Sequence, residues 1–270
     1  GIQFKTGIFI GKDGEWTAER LRDEFDSIVL CCGATQGRDL PIDSRDAEGI
    51  HMAMDFLTIN TRHQLDHRFD GSNPALNATG KDVVVIGGGD TAMDCVRTAV
   101  RQGAISVTCL YRRDRANMPG SVREVQNAEA EGVVFEWLAS PQQFVGEGVV
   151  NAVRVQHMQL TAPDESARSH VEPIAGSSSI LDADMVIKAL GYDAEDMPTM
   201  FGVPELAVSK YGTLAIDAQF KTTLPNVYAA GDIVRGASLV VWAIKDGRDA
   251  AMAMHAKLTA QPQYKHHSAA

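Results

Sequence analysis

Residue types that define specialised classes of protein are scarce in this chain. There are four cysteines and 6 % aromatic residues, and no apolar stretch approaches the roughly 20 residues of a membrane span. The net charge of −10 leaves no positive excess that would attract nucleic acid or an anionic membrane surface. We therefore expect a cytoplasmic protein with neither of these partners.

The cysteines and histidines show none of the spacings that define a metal site or a redox-active dithiol. Cys31 and Cys32 are adjacent, Cys95 falls in a helical pattern and Cys109 lies in a strand pattern, so the chain has no C-x-x-C pair. We expect free, buried thiols in a reducing compartment and no metal ligands. No motif surrounds a serine, cysteine or histidine nucleophile, so we predict no catalytic side chain.

Glycine is plentiful, and short apolar runs alternate with helical patterns. Residues 83–86 form an apolar run, residues 91–102 have a helical pattern and residues 106–111 form a second run. The same order of helix and strand repeats once more up to residue 137. This alternation predicts an α/β protein with a parallel sheet and crossover helices. Two alternating stretches within residues 149–179 predict a small antiparallel meander.

A glycine-rich turn joins the first run to its helix. The turn fits G-x-G-x-x-A, in which the first glycine permits the bend, the second lets the backbone approach a pyrophosphate, and the alanine keeps helix and strand close. The helix N-terminus offers unpaired N–H groups to the phosphates, and we expect Asp90 to cap it. The residues predicted to bind a dinucleotide here are Gly87, Gly88, Gly89, Asp90, Thr91 and Ala92.

The end of the second run indicates which dinucleotide binds. An NAD site needs a carboxylate roughly 20 residues beyond the glycines, where it holds the ribose 2′-hydroxyl. Here Arg112 and Arg113 follow the strand instead, and guanidinium groups match a 2′-phosphate. Asp114 lies past the strand end, and Arg115 is a weaker candidate for the phosphate. The pattern predicts binding of NADP(H).

A second candidate nucleotide site lies towards the C-terminus. Gly231 and Asp232 follow a short strand, and a helical pattern begins near Leu239 and Val240. An aspartate in this position can accept a hydrogen bond from a sugar-alcohol hydroxyl, and a helix N-terminus can face an electron-poor ring edge. An aspartate that merely caps an ordinary helix fits the local pattern equally well.

Five stretches together are typical of one family. They are VVVIGGGDTAMDCVRT at residues 83–98, YRRD at 111–114, NMPGS at 117–121, GIHMAMDFL at 49–57 and AGDIVRGASLVV at 230–241. On these stretches the chain resembles, over nearly its whole length, the small (β) subunits of NADPH-dependent glutamate synthase. The resemblance implies a flavoprotein reductase with two Rossmann-like dinucleotide-binding domains, one for FAD and one for NADP(H).

The resemblance also implies roles for particular residues and partners. Asp232 would contact the ribityl chain of FAD, Leu239 and Val240 would lie near its ring, and the flavin-side element after the first apolar strand would be Gly33, Ala34 and Thr35. Hydride would pass from NADPH to FAD, and electrons would then cross iron–sulfur clusters to a large (α) subunit that makes glutamate. The cysteine-rich segment that ligates such clusters has no counterpart here, so we expect none in this chain.

The family pattern places the NADP(H) domain within the FAD domain. We expect residues 1–75 and 191–270 to form the FAD-binding domain and residues 76–190 the NADP(H)-binding domain, with the turn-rich segment 66–81 at the first boundary. The family's first glycine-rich turn has no counterpart, so the predicted FAD domain is incomplete and the chain N-terminally truncated. A removed N-terminal region, a second chain and a naturally short protein all fit. The alternative function is a non-catalytic NADP(H)-binding module.

Overall fold

The computed structural model describes residues 1–65, 73–162 and 169–260. Within these ranges the chain forms both helices and strands, which alternate over residues 53–137. In order, the elements are α1 (Ala18–Glu24), β1 (Ile28–Leu30), β2 (Gln36–Gly37), β3 (Ile50–Met52), α2 (Ala53–Leu65), β4 (Asp82–Ile86), α3 (Asp90–Gln102), β5 (Ser106–Tyr111), α4 (Val122–Ala130), β6 (Val134–Trp137), β7 (Ala139–Val145), β8 (Ala152–Leu160), β9 (Val171–Asp182), β10 (Met185–Lys188), β11 (Tyr192–Asp193), α5 (Met197–Phe201), β12 (Val227–Ala229), α6 (Asp232–Arg235) and α7 (Val240–Ala260).

The chain divides into two compact units. One unit, Gly37–Gly191, is inserted between the two parts of the other, Gly1–Gln36 and Tyr192–Ala270. We call them the inserted unit and the outer unit. No helix in the described ranges is long and apolar enough to cross a membrane.

The inserted unit is built on a five-stranded parallel sheet with the order β3-β10-β4-β5-β6. The central strand β4 is buried on both faces, so its side chains alternate between two cores. Val83 and Val85 pack against α2, α3 and α4, whereas Val84 and Ile86 pack against the antiparallel β7-β8-β9 meander. The parallel sheet with crossover helices and the meander are thus confirmed.

Helix α3 packs on the sheet because its apolar residues recur at helical spacing. Ala92, Val96 and Ala99 lie on one face and are fully buried in the helix-side core. The helix ends at Gly103, whose φ of 87° places it in the left-handed region that favours glycine. The phosphate-binding turn therefore connects two elements that are each fixed by burial.

The outer unit has a smaller sheet of two parallel strands, β1 and β12. Leu30 and Ala229 pair at the carboxyl ends of these strands, and the Ala230 N–H donates to the Leu30 carbonyl at 3.1 Å. Its core brings together side chains from α1, β1, α5, β12 and α6. The segments that follow β1 and β12 therefore leave the sheet at the same edge.

The first division of the chain differs from the predicted boundary. The predicted boundaries lie at 75/76 and 190/191, while the structure divides the chain at 36/37 and 191/192. Residues 37–65 belong to the inserted unit because β3 pairs with β10 and Phe56 of α2 is fully buried in the core beneath α3. Part of the predicted linker, residues 66–72, lies outside the described residues.

The expectation of buried thiols is wrong for two of the four cysteines. Cys95 and Cys109 are buried, and burial raises the pKa of both thiols, to about 12 for Cys109. Cys31 and Cys32 are exposed, and both lie beyond β1, which ends at Leu30, although the apolar run at residues 27–32 predicts a strand that includes them. All four are free, and no group of side chains in the described ranges could hold a metal ion.

Candidate dinucleotide-binding site

The phosphate turn (residues 87–89) follows β4 directly and precedes α3. Gly87 has a φ of 148°, and a Cβ there would lie 2.1 Å from the Ala189 carbonyl oxygen. A Cβ at Gly88 would lie 2.4 Å from the Tyr111 ring, whereas one at Gly89 would meet nothing within 4 Å. The first two positions therefore require glycine for the fold, and the third leaves the backbone open to a ligand.

The N-terminus of α3 has unpaired donors at this turn. The Gly89 carbonyl accepts the first helical hydrogen bonds, from Ala92 at 2.9 Å and from Met93 at 3.2 Å, and no side chain caps the helix. The N–H groups of Asp90 and Thr91 precede these bonds, so they and the helix dipole favour an anion at this end. Ala92 is fully buried, as the motif predicts for close packing of helix and strand.

The expected capping role of Asp90 is wrong. Its Oδ1 instead accepts a hydrogen bond from the Ser121 N–H at 2.9 Å, across the turn. Gly89 occupies the cap position, so Asp90 is the first residue of the helix, and no side chain of a described residue accepts a hydrogen bond from the first-turn N–H groups. The partner of Asp90 could not be read from the local pattern because it lies 31 residues away.

Arg112 and Arg113 lie where the sheet brings β5 beside β4. The register pairs Leu110 with Ile86, so the two arginines come just beyond the strand end, next to the phosphate turn. Arg112 is exposed and Arg113 is half-buried. Neither forms an ion pair within the part of the chain that the structure describes, and Nε of Arg113 is buried there without a partner. Both guanidinium groups are thus free to bind an anion.

The two neighbouring charged residues are already engaged. Arg115 binds Glu129 through both terminal nitrogens, with one contact at 2.8 Å. Asp114 caps a short 3-10 turn, accepting from the Asn117 N–H at 3.0 Å and from its side-chain amide at 2.7 Å. Asp114 is therefore unsuited to hold a ribose 2′-hydroxyl, and Arg115 is unsuited to hold a phosphate.

The predicted flavin-side residues all lie in the outer unit. Gly231 has a φ of 77°, and Asp232 begins α6 at the carboxyl end of β12. The side chain of Asp232 is half-buried and accepts no hydrogen bond from a described residue. Leu239 and Val240 are exposed at the start of α7. These four positions leave a carboxylate and a helix N-terminus available to a ligand.

The segment after β1 is less open. Gly33 is in the left-handed region, with a φ of 82°, and Ala34 follows it. The Thr35 hydroxyl donates to the carboxylate of Glu195, which also accepts from the Gln36 amide at 2.6 Å. Glu195 is buried, and its role was missed because no sequence pattern links residues so far apart. Thr35 is accordingly a structural residue through its side chain, and only its backbone remains for a cofactor.

Glu124 and Asp246, which lie on helices near the two candidate sites, both have structural roles. Glu124 binds Arg97 of α3, and Asp246 is a buried carboxylate that binds Arg235 at 3.0 and 2.7 Å. Neither side chain is left free to move a proton at either candidate site.

Comparison with known proteins identifies the family. Residues 2–247 match the family described as pyridine nucleotide-disulphide oxidoreductases. The chain is 48 % identical over 97 % of its length to the glutamate synthase (NADPH) small chain of Azospirillum brasilense, and 40 % identical over 93 % to that of Escherichia coli. It spans 55 % and 54 % of these two relatives.

A solved structure shares the fold. Mycobacterium tuberculosis FprA in complex with NADPH is similar with a TM-score of 0.74 and 21 % identity, over 93 % of this chain and 67 % of that one. The chain belongs to the pyridine nucleotide-disulphide oxidoreductase family, and its predicted fold class and family resemblance are confirmed.

Proposed function

We propose that the inserted unit binds NADP(H). The observation that carries this proposal is the pair of unengaged guanidinium groups, Arg112 and Arg113, at the end of the strand beside the phosphate turn. An NAD site would need an uncommitted carboxylate there, and the nearby Asp114 is used within its own loop. The relatives named as NADPH-dependent small chains support the same choice.

We further propose that the outer unit holds FAD, by residues that fit part of that cofactor. Asp232 is a half-buried carboxylate that accepts no hydrogen bond from a described residue, and it suits a ribityl hydroxyl. The exposed N-terminus of α7 at Leu239 and Val240 suits the ring edge. When bound, FAD supplies the acceptor for the hydride of NADPH. The chain's own residues bind and orient, and no side chain is assigned a proton to move.

The activity that follows is electron entry into a glutamate synthase-type enzyme. On this proposal the partner is a glutamate synthase large (α) subunit, or a region equivalent to the remaining length of the relatives. Iron–sulfur clusters would lie outside this chain, because its four cysteines are scattered and two of them are buried. Free cysteines throughout accord with a cytoplasmic location.

The decisive experiment measures whether the chain retains flavin that NADPH can reduce. The purified chain is mixed with FAD, free FAD is removed by gel filtration, and the visible flavin absorbance of the protein fraction is recorded before and after anaerobic addition of NADPH. We expect retained flavin whose absorbance is bleached faster by NADPH than by NADH. Asp232→Ala should lose most of the flavin because the ribityl chain loses an acceptor.

A matched control is Asp23→Ala, which removes an exposed carboxylate from α1 of the same unit. This variant should retain as much flavin as the wild type. A colourless chain that still binds NADPH would contradict the electron-transfer proposal and favour the alternative, a non-catalytic NADP(H)-binding module.

A further inference from the structure

The loop that follows β5 is a compact body attached to the phosphate turn. We call residues 112–121 the arginine loop. Within it Asp114 caps the 3-10 turn Arg115–Asn117, and the Tyr111 hydroxyl at its base donates to the Asn117 carbonyl at 2.9 Å. Partial burial raises the pKa of that hydroxyl, so it remains a donor at neutral pH. Hydrogen bonds within the loop and at its base therefore connect its first residues to Asn117.

Two hydrogen bonds attach the far end of this loop to the phosphate turn. The Gly120 N–H donates to the Gly88 carbonyl at 2.8 Å, and the Ser121 N–H donates to Oδ1 of Asp90 at 2.9 Å. The near end is fixed by β5, where the Tyr111 ring lies against Gly88. Among the described residues of the phosphate turn and α3, Asp90 is the only one whose side chain forms a hydrogen bond to the loop.

We propose that Asp90 is a positioning residue for the arginine loop, and that it sets the preference for NADPH over NADH. Its hydrogen bond to the Ser121 N–H holds the far end of the loop at the start of α3. On this proposal the contacts of Tyr111 and Asp114 with Asn117 carry that restraint to the two guanidinium groups at the near end, where β5 fixes only the backbone. A displaced loop would affect the 2′-phosphate, which only NADPH has, more than the pyrophosphate that both nucleotides share. The proposal rests on the NADP(H) site proposed above.

The chain offers variants that separate this role from a simple charge effect. Asp90→Asn keeps an oxygen acceptor but removes the charge, whereas Asp90→Ala removes both. Asp94, one turn along the same helix, supplies a matched control, because it makes no hydrogen bond to the loop in the described part of the chain. Gly120→Ala tests the neighbouring bond independently, since its Cβ would lie 3.0 Å from the Gly88 carbonyl oxygen.

The experiment is calorimetric titration of each variant with NADPH and with NADH. We expect Asp90→Ala to raise the Kd of NADPH about tenfold and that of NADH by less than about twofold, a loss of the size typical of one hydrogen bond. Asp90→Asn and Asp94→Ala should keep the wild-type ratio of the two constants. Gly120→Ala should lower the ratio of the Kd of NADH to the Kd of NADPH, as Asp90→Ala does. This variant tests the attachment of the loop if circular dichroism shows that Asp90→Ala does not fold.

The possible failures are distinguishable. Equal weakening of both nucleotides by Asp90→Ala, or an Asp90→Asn variant that behaves like Asp90→Ala, would overturn the positioning role while the NADP(H) site stands. A wild-type chain with no preference for NADPH would overturn the proposed site itself, and the role of Asp90 with it.

Discussion

Arg112 and Arg115 lie in one loop but differ in what their guanidinium groups contact. Arg115 is bound to Glu129 by two hydrogen bonds, and Arg112 is exposed without an ion pair to a described residue. An arginine in a bidentate pair would have to break it before it could bind a phosphate, while an unpaired one would not. Arg115 therefore has a structural role, whereas Arg112 and Arg113 are available for ligand binding.

Replacing Arg112 should change nucleotide preference. We predict that Arg112→Ala weakens NADPH binding by roughly 1.5–3 kcal/mol, the range for a lost charge-assisted contact, and weakens NADH binding far less. Titration of both nucleotides measures the difference. Arg115→Ala is the matched control and should leave the ratio unchanged, since its guanidinium is engaged by Glu129. Equal losses for both nucleotides would show that Arg112 contacts something other than the 2′-phosphate.

For single residues, the local spacing in the sequence predicted structural roles, whereas hydrogen bonds between distant residues could not be predicted. Gly87 and Ala92 have structural roles that a strand, a tight turn and a helix impose on neighbouring residues. The partners of Asp90 and Thr35 are set instead by which segments the fold brings together, and no local pattern encodes them. The sequence therefore predicts that Asp90 lies at the start of α3, but it does not predict that the partner of its carboxylate is the Ser121 N–H.

A network of charged side chains joins the helices α3 and α4 of the inserted unit. Arg97 of α3 binds Glu124 of α4 and also binds Glu131, which ends α4, at 2.8 Å. Arg101 adds a second contact to Glu131 at 2.9 Å. The network fixes α4, whose first turn follows Ser121, so it supports the end of the arginine loop as well.

This network should make stability depend on pH through Glu131. The hydrogen bond from Arg97, with the charge of Arg101, lowers the pKa of the Glu131 carboxyl below its ordinary value. A lowered folded-state pKa gives stability that is present above the ordinary glutamate pKa and is lost as pH falls through the folded value. We predict that Glu131→Gln lowers the free energy of unfolding by about 1 kcal/mol at neutral pH, a value near the upper end for a partly exposed pair.

Urea unfolding of wild type and Glu131→Gln checks this at pH 7 and again below about pH 4, under the ordinary glutamate pKa. The difference between them should shrink as the pH falls, because the unfolded chain takes up a proton on Glu131 at a higher pH than the folded chain does, which favours unfolding of the wild type. Glu129→Gln, which breaks the more exposed pair with Arg115, should cost less at neutral pH. If the difference in unfolding free energy between wild type and Glu131→Gln did not change with pH, the stabilising role of the ionised Glu131 carboxylate would be contradicted.

Elements near the phosphate turn were predictable because burial and periodicity agree there. The short, β-branched apolar run of β4, which is followed by glycines, favours a buried strand, and the spacing of apolar residues in α3 favours an amphipathic helix. That β3 and α2 belong to the inserted unit was not predictable, since β3 joins the sheet by pairing with β10, far along the chain. The predicted boundary was drawn from the turn-rich segment 66–81, and the described part of that segment, residues 73–81, lies within the inserted unit.

At the scale of the whole molecule, the outer unit has a long helix with little packed against it. Helix α7 has 21 residues, and of its side chains only Asp246 and Ala250 are buried. Large apolar side chains near its start are exposed, including Val241 at 61 % and Ile244 at 58 %. An apolar face this open on a helix is typical of a surface that another element covers, and relatives of the chain are nearly twice its length.

The isolated chain should therefore show the behaviour of an uncovered apolar surface. We predict that it binds a hydrophobic fluorescent dye and self-associates as concentration rises, because burial of Val241 and Ile244 between copies removes apolar area from water. The double variant Val241→Glu and Ile244→Glu should reduce dye fluorescence by about half and shift sedimentation towards the monomer, since charges on one helix face repel across such a contact. Ile105→Glu is the control, because Ile105 is 72 % exposed in the inserted unit, outside α7. If both variants reduced dye binding equally, the effect would belong to apolar exposure in general and α7 would have no special role as an unpaired surface.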